Sequence, residues 1–159
     1  MGAAMLLKGL TAQYLLHQTY EVRPGSHILM HAAAGGVGLI VCQWAKHLGA
    51  NVIGTVGNDE KAALAKSYGC DHTIVYTREN FKERVSDITD GKGVDIVYDS
   101  IGKATFIDSL NCLRPLGMMV AFGNATGPIE AFSPSILAAK GSLFLTNKGS
   151  SLRTCTLNL

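Results

Sequence analysis

Cysteine is scarce and scattered: Cys42, Cys70, Cys112 and Cys155 include no C-x-x-C pair and no Cys/His pair at zinc-ligand spacing. That excludes a zinc finger or ribbon and leaves no metal site in expectation. Reduced thiols in a cytosol-like compartment are expected, each packing as a small hydrophobe rather than serving as a nucleophile. No apolar run approaches the ~18 residues of a membrane span, and no basic-then-apolar signal segment opens the chain. A soluble cytoplasmic protein with no membrane partner is the expectation. Long runs of one charge are also missing, with 14 Lys+Arg set against 12 Asp+Glu, so nothing marks a nucleic-acid partner. Solenoid repeats and internal linkers are absent too. What remains is a chain of 159 residues, 47% apolar, enough to fill the core of one α/β domain.

The most informative stretch is His31-Ala-Ala-Ala-Gly35-Gly36-Val37-Gly38. An apolar run, His27 to Met30, feeds it as a strand, and Val37 to Leu48 leaves it at helical period, closed by Gly49 as a left-handed cap. Upstream, Met5, Leu6, Leu7, Leu10, Tyr14, Leu15 and Leu16 predict a helix over Ala3 to Gln18, ended by the Arg23-Pro24-Gly25 turn. Downstream, strands are expected at Asn51–Val56, Thr73–Tyr76, Val94–Tyr98, Met118–Phe122 and Ser142–Leu145. Helices are expected at Glu60–Tyr68 with Asp59 as cap, and at Glu79–Ile88, Ala104–Leu113 and Pro134–Ala139. Six strands alternating with helices imply right-handed crossovers and a doubly wound parallel sheet of order 3-2-1-4-5-6 with helices on both faces, the Rossmann arrangement. Residues 1–148 form this dinucleotide-binding domain in expectation. The tail 149–159, rich in Ser and Thr and without sustained period, reads as irregular.

Aligned to G-x-G-x-x-G, the turn supplies Ala33-x-Gly35-x-x-Gly38, with alanine at the first glycine position. Gly35 would let backbone approach a pyrophosphate, Gly38 would let the helix lie close on the strand, and the amides of Gly36 and Val37 would face the anion. An NAD-selective site needs an acid at the end of the second strand; Gly57 stands there, leaving room for a 2′-phosphate, and Lys61 offers positive charge one turn later. NADPH is thus favoured as the cofactor, although Asp59 and Glu60 lie close by and argue the other way. Gly57 also counts against an S-adenosylmethionine-dependent methyltransferase, the alternative reading of such a turn. A non-catalytic nucleotide-binding or regulatory module stays open.

The run from His31 to Ile40, with Gly54-Thr-Val-Gly57, Tyr98-Asp-Ser-Ile-Gly102, Phe122-Gly-Asn124 and the opening Leu6-Leu-Lys-Gly-Leu-Thr-Ala-Gln-Tyr-Leu-Leu16, resembles the NADPH:quinone oxidoreductases, the zeta-crystallin-like, zinc-independent medium-chain dehydrogenases/reductases. The resemblance runs from about the N-terminus to roughly Thr146. It implies that Gly36 and Val37 bind pyrophosphate and that Gly57, Asn58 and Lys61 with Tyr76 surround the 2′-phosphate. It further implies that Ser100 lies beside the cofactor, that Phe122, Gly123 and Asn124 approach the nicotinamide ribose, and that Thr11 and Tyr14 border the nicotinamide. The implied reaction is hydride transfer from NADPH to a quinone or related enone. No residue is assigned as catalytic; His31, the nearest candidate acid, reads better as a hydrogen-bonded structural histidine. The family's GroES-like catalytic domain is not found in these residues, so little turnover is expected of this stretch alone. A homodimer joined edge to edge through the sixth strand is also implied, since an unpaired edge invites a partner.

Overall fold

In the computed structural model, residues 2–138, 143–148 and 151–155 are described. They form two compact units that divide between Phe81 and Lys82. Each repeats the same logic: parallel strands rich in β-branched residues, connected by helices, in a Rossmann-like α/β arrangement.

The first unit opens with helix α1 (Gly2–Tyr14), whose last turn widens into a π-helical turn over Leu15–Thr19. Strands β1 (His27–Met30), β2 (Asn51–Val56) and β3 (His72–Val75) follow, with α2 (Gly36–His47) and α3 (Asp59–Ser67) as crossovers. β2 lies between β1 and β3, parallel to both, pairing Leu29 with Ile53 and Thr55 with Ile74. Ile28, Leu29, Met30, Val52, Ile53 and Ile74 are buried on the strands, with Leu15, Leu16, Val41 and Ala45 on the helices. At roughly 25 cal/mol for each Å² of apolar surface removed from water, these side chains are the main stabilising term of the unit.

In the second unit, α4 (Phe81–Ile88, its first residue the last of the first unit) leads to β4 (Val94–Asp99), α5 (Phe106–Cys112), β5 (Leu113–Ala121), α6 (Ser135–Ala138), β6 (Leu143–Lys148) and β7 (Ser151–Cys155). β5 runs parallel to β4 and β6. It begins five residues before the predicted Met118 because Leu113 pairs with Val94, after which the register jumps to Met118 opposite Ile96. Arg114-Pro115-Leu116-Gly117 fills that jump, with Leu116 in the left-handed region at φ 62°. Proline is tolerated at such an irregularity.

Three expectations are corrected here. The strands number seven among the described residues, not six. Residues 151–155 of the tail are not irregular: they form β7, antiparallel to β6, with Leu145 opposite Thr154 and Lys148 opposite Ser151. The Ser and Thr residues of the tail carry a loop signal, which hides the strand in the sequence. Consequently β6 is not an edge, since β5 and β7 take its two sides, and the premise of an edge-to-edge dimer through it fails. The predicted end of the last helix at Ala139, the start of the last strand at Ser142, and tail residues 149–150 and 156–159 lie outside the described residues. Among the described residues no helix is long and apolar enough to cross a membrane.

Candidate functional site

The first cluster is built where β1 ends. Buried His31 follows the strand, and its Nδ1 lies 2.9 Å from the Thr55 hydroxyl on β2, with the Phe81 ring edge-to-face at 5.0 Å. These contacts give it the place of a structural histidine. Ala32 then takes a left-handed conformation, φ 52°, uncommon for a residue with a Cβ. This reverses the chain: the Gly35 amide donates to the Ala32 carbonyl at 2.8 Å, and the Ala33 amide donates to the Thr55 carbonyl at 3.0 Å.

Close approach explains the glycines. A Cβ on Gly38 would meet the Ala32 and Ala33 carbonyl oxygens at 2.5 and 2.6 Å, distances no packed atom tolerates. Only glycine lets α2 start this near the turn. Gly54 is required from beneath, since its Cβ would meet Ala33 Cβ at 2.6 Å and Cys70 Sγ at 2.7 Å. Gly35 occupies the cap position of α2 and brings no side chain to it. Helix N-termini carry amides without intrahelical acceptors and a partial positive charge, the combination that receives a phosphate oxygen.

Lys8 was not singled out from the sequence, yet the end of its side chain lies over this turn. Its Nζ and Cε stand 2.7 Å from where a Gly36 Cβ would be. No local pattern signals a lysine on α1 meeting a glycine 28 positions later. Thr11 and Tyr14 lie on the same helix, both half-buried, and the Thr11 hydroxyl donates to the Leu7 carbonyl at 2.8 Å. Met5, Leu6, Leu7 and Leu10 of α1 are each more than half exposed.

The second cluster of the first unit gathers at the end of β2. Gly57 faces Tyr76, whose hydroxyl is 3.1 Å from a Cβ built on the glycine, and Thr77 Oγ1 donates to the Gly57 carbonyl at 3.2 Å. Asn58 caps α3: extended at φ −157°, it accepts the Lys61 amide on Oδ1 at 2.9 Å. The expected cap, Asp59, is therefore corrected by one residue. Asp59 is already the first helical residue, and its carboxylate takes a different partner, the Arg78 guanidinium, with 2.8 Å from Nη1 to Oδ2 and 2.5 Å from Nη2 to Oδ1. The Arg78 hydrogen bonds hold Asp59 below the usual carboxylate range, and those same bonds push Arg78 upward. Gly57 and Tyr76 are thus neighbours, with Asn58 next in the chain and Lys61 joined to it through its backbone amide. Arg78 was missed because its contact spans 19 positions.

The second unit carries its own cluster at the end of β4. Asp99 is fully buried, and its Oδ1 accepts the amides of Ile101 at 2.7 Å and Gly102 at 3.1 Å while Oδ2 accepts the Thr105 hydroxyl at 2.6 Å. The loop after β5 is laced to the same turn: the Phe122 amide donates to the Asp99 carbonyl, Ala125 to Ser100, and Thr126 to Ile101. Gly123 is needed because its Cβ would lie 2.9 Å from the Ser100 carbonyl oxygen. Ser100, Gly123 and Asn124 are brought together, with Phe122 half-buried beside them rather than in the core. Sequence reasoning passed over Asp99, whose signal was the Asp-Ser-Ile-Gly turn that its carboxylate organises. No three His, Cys, Asp or Glu side chains among the described residues gather as a metal-ligand set.

Comparison with known proteins gives a consistent result. The family profile described as "Zinc-binding dehydrogenase" matches residues 36–156. The chain is 57% identical over 145 residues to a quinone oxidoreductase of Pseudomonas aeruginosa, covering 91% of this chain and 45% of that one. It is 57% identical over 147 residues to a 2-haloacrylate reductase of a Burkholderia species, covering 91% and 44%. Among solved structures, Escherichia coli quinone oxidoreductase complexed with NADPH superposes at a TM-score of 0.86 with 49% identity, over 89% of this chain and 44% of that one. The chain therefore spans less than half the length of these relatives.

Proposed function

The chain belongs to the zinc-binding dehydrogenase family, and on that premise we propose that it holds NADPH for hydride transfer to a quinone or a related enone. The observation that carries this reading is the glycine turn at the end of β1, where Gly38 lets α2 start close to the turn and Gly35 caps it without a side chain of its own, beneath the end of Lys8. The described residues offer no donor set for a zinc ion, so no step is routed through a metal.

The residues divide the work by position. Gly35, Gly36 and Val37 present amides to the pyrophosphate, with Lys8 supplying charge across it. Gly57 leaves space for the adenosine ribose, and Asn58, Lys61 and Tyr76 enclose its 2′-phosphate. Ser100, Phe122, Gly123 and Asn124, held by Asp99, take the nicotinamide ribose, while Thr11 and Tyr14 border the nicotinamide. Bound NADPH supplies the hydride; the protein orients it and excludes water. A cytoplasmic setting that keeps Cys42, Cys70 and Cys112 reduced and a homodimer complete the proposal. Sedimentation velocity of the chain tests the homodimer: a single species at the monomer mass would remove it from the proposal.

The test is a fluorescence titration with NADPH and S-adenosylmethionine, followed by a quinone reduction assay on this chain. NADPH binding is expected, with little turnover by these residues alone. S-adenosylmethionine binding in place of NADPH would sink the reading.

A further inference from the structure

We propose that Asp59 and Arg78 form a cofactor-selecting latch, in which Arg78 is a donor to the 2′-phosphate and Asp59 holds its guanidinium in place until that phosphate displaces the carboxylate. This rests on the NADPH reading given above.

The geometry argues it from three sides. Both Asp59 oxygens are engaged by Arg78, at 2.8 and 2.5 Å, in the paired-donor arrangement that fits a carboxylate and a phosphate equally well. The pair also brackets the subsite. Asp59 stands two residues after Gly57 and Arg78 two after Tyr76, and the two segments are in direct contact through Thr77 Oγ1 and the Gly57 carbonyl. Finally, the pair is exposed, with 58% of the Arg78 side chain and 73% of the Asp59 side chain open to water. Ion pairs so exposed hold weakly, and a phosphate bearing more negative charge than a carboxylate takes the guanidinium from it.

The latch also resolves a conflict in the sequence. An acid just past β2 is what selects NAD, by accepting the ribose hydroxyls, and Asp59 stands in that neighbourhood. Arg78 engages both of its oxygens and offsets its charge, which makes Asp59 a poorer acceptor for a ribose 2′-hydroxyl. One arginine thus withdraws the NAD-selecting acid and supplies an NADP-selecting cation.

The experiment measures dissociation constants for NADPH, NADH and 2′,5′-ADP on the wild-type chain, Arg78→Met and Asp59→Asn, with circular dichroism as a check on folding. Both side chains lie at the surface, so the variants keep the wild-type spectrum. Arg78→Met is expected to weaken NADPH and 2′,5′-ADP about tenfold, the effect of one charged hydrogen-bonded contact, and to leave NADH unchanged or tighter. Asp59→Asn is expected to tighten NADPH severalfold, since the competing carboxylate is gone. An unchanged NADPH-to-NADH ratio in Arg78→Met, or weaker NADPH binding by Asp59→Asn, overturns the latch while wild-type preference for NADPH leaves the underlying reading intact. A wild-type chain that binds neither nucleotide, or prefers NADH, overturns both.

Discussion

Substituting Gly38 by alanine tests whether the turn at the end of β1 is a close-approach device. An added Cβ would sit 2.5 Å from the Ala32 oxygen, 2.6 Å from the Ala33 oxygen and 2.8 Å from the Ala33 carbonyl carbon, against an ordinary contact of 3.4–4 Å. All three are backbone atoms of a turn tied to β2 by the Ala33 amide, so the start of α2 has to retreat by nearly an ångström. Overpacking of this kind costs roughly 1–3 kcal/mol, while alanine in place of glycine within a helix returns up to about 1 kcal/mol. With three backbone atoms struck, the upper part of that range applies, and a net loss of about 1–2 kcal/mol follows, a melting point lower by about 2–8 °C at roughly 2–4 °C per kcal/mol for a chain of this size. Gly36→Ala is the matched control for stability. Its Cβ meets only the flexible end of Lys8, so melting stays within about 2 °C of wild type or rises. Thermal unfolding followed by circular dichroism reads both. A Gly38→Ala protein melting at or above wild type would show that α2 does not depend on glycine for its approach, and the reading of the turn would fall.

Asp99→Ala strands the amides of Ile101 and Gly102 and leaves the Thr105 hydroxyl only the Gly102 carbonyl at 3.3 Å, and at about 1–3 kcal/mol for each of the two amides it should cost about 2–6 kcal/mol in urea denaturation; a loss below about 1 kcal/mol refutes its organising role. Thr55→Val keeps the shape of the side chain but removes the hydroxyl beside His31 Nδ1, and a loss of about 1–3 kcal/mol is expected from the same measurement. Asp71 is pushed up by burial, but Lys46 at 2.5 Å and the Val52 amide at 2.9 Å outweigh that and leave it lower than usual. Its stabilisation is therefore present above the unfolded value of about 3.9 and is lost as pH falls through the lower folded value. The urea midpoint should fall as the solution is acidified below about pH 4, and Asp71→Asn should flatten that fall; an equal decline in both proteins contradicts the assignment.

Much of the architecture was readable because its signals are local. Ile28-Leu29-Met30 before a glycine turn and Val52-Ile53 through Val56 are strand runs with clear punctuation, and Gly49 does close α2 in the left-handed conformation at φ 83°. What escaped depends on geometry that composition does not carry. Asn58 and Asp59 are both good caps, and only the extended backbone of Asn58 against the helical one of Asp59 decides between them. β7 was missed although Gly149-Ser150 between two short runs is a hairpin signal in its own right, because the Ser and Thr residues were read as loop formers. The extra length of β5 followed from pairing with Val94 across an irregular Arg-Pro-Leu-Gly segment. In the candidate site, the glycine turn and the segment after β2 stand out in the sequence because their signals are local, whereas Lys8, Arg78 and Asp99 become visible only through contacts made in space.

The central claim is that this chain forms a seat for NADPH, and the most direct measurement is calorimetric titration of the 159-residue chain with NADPH and NADH under identical conditions. The account predicts a single site for NADPH, with NADH bound at least about tenfold more weakly, a difference of about 1.4 kcal/mol. Equal affinity for the two nucleotides, tighter binding of NADH, or no heat from either would contradict it.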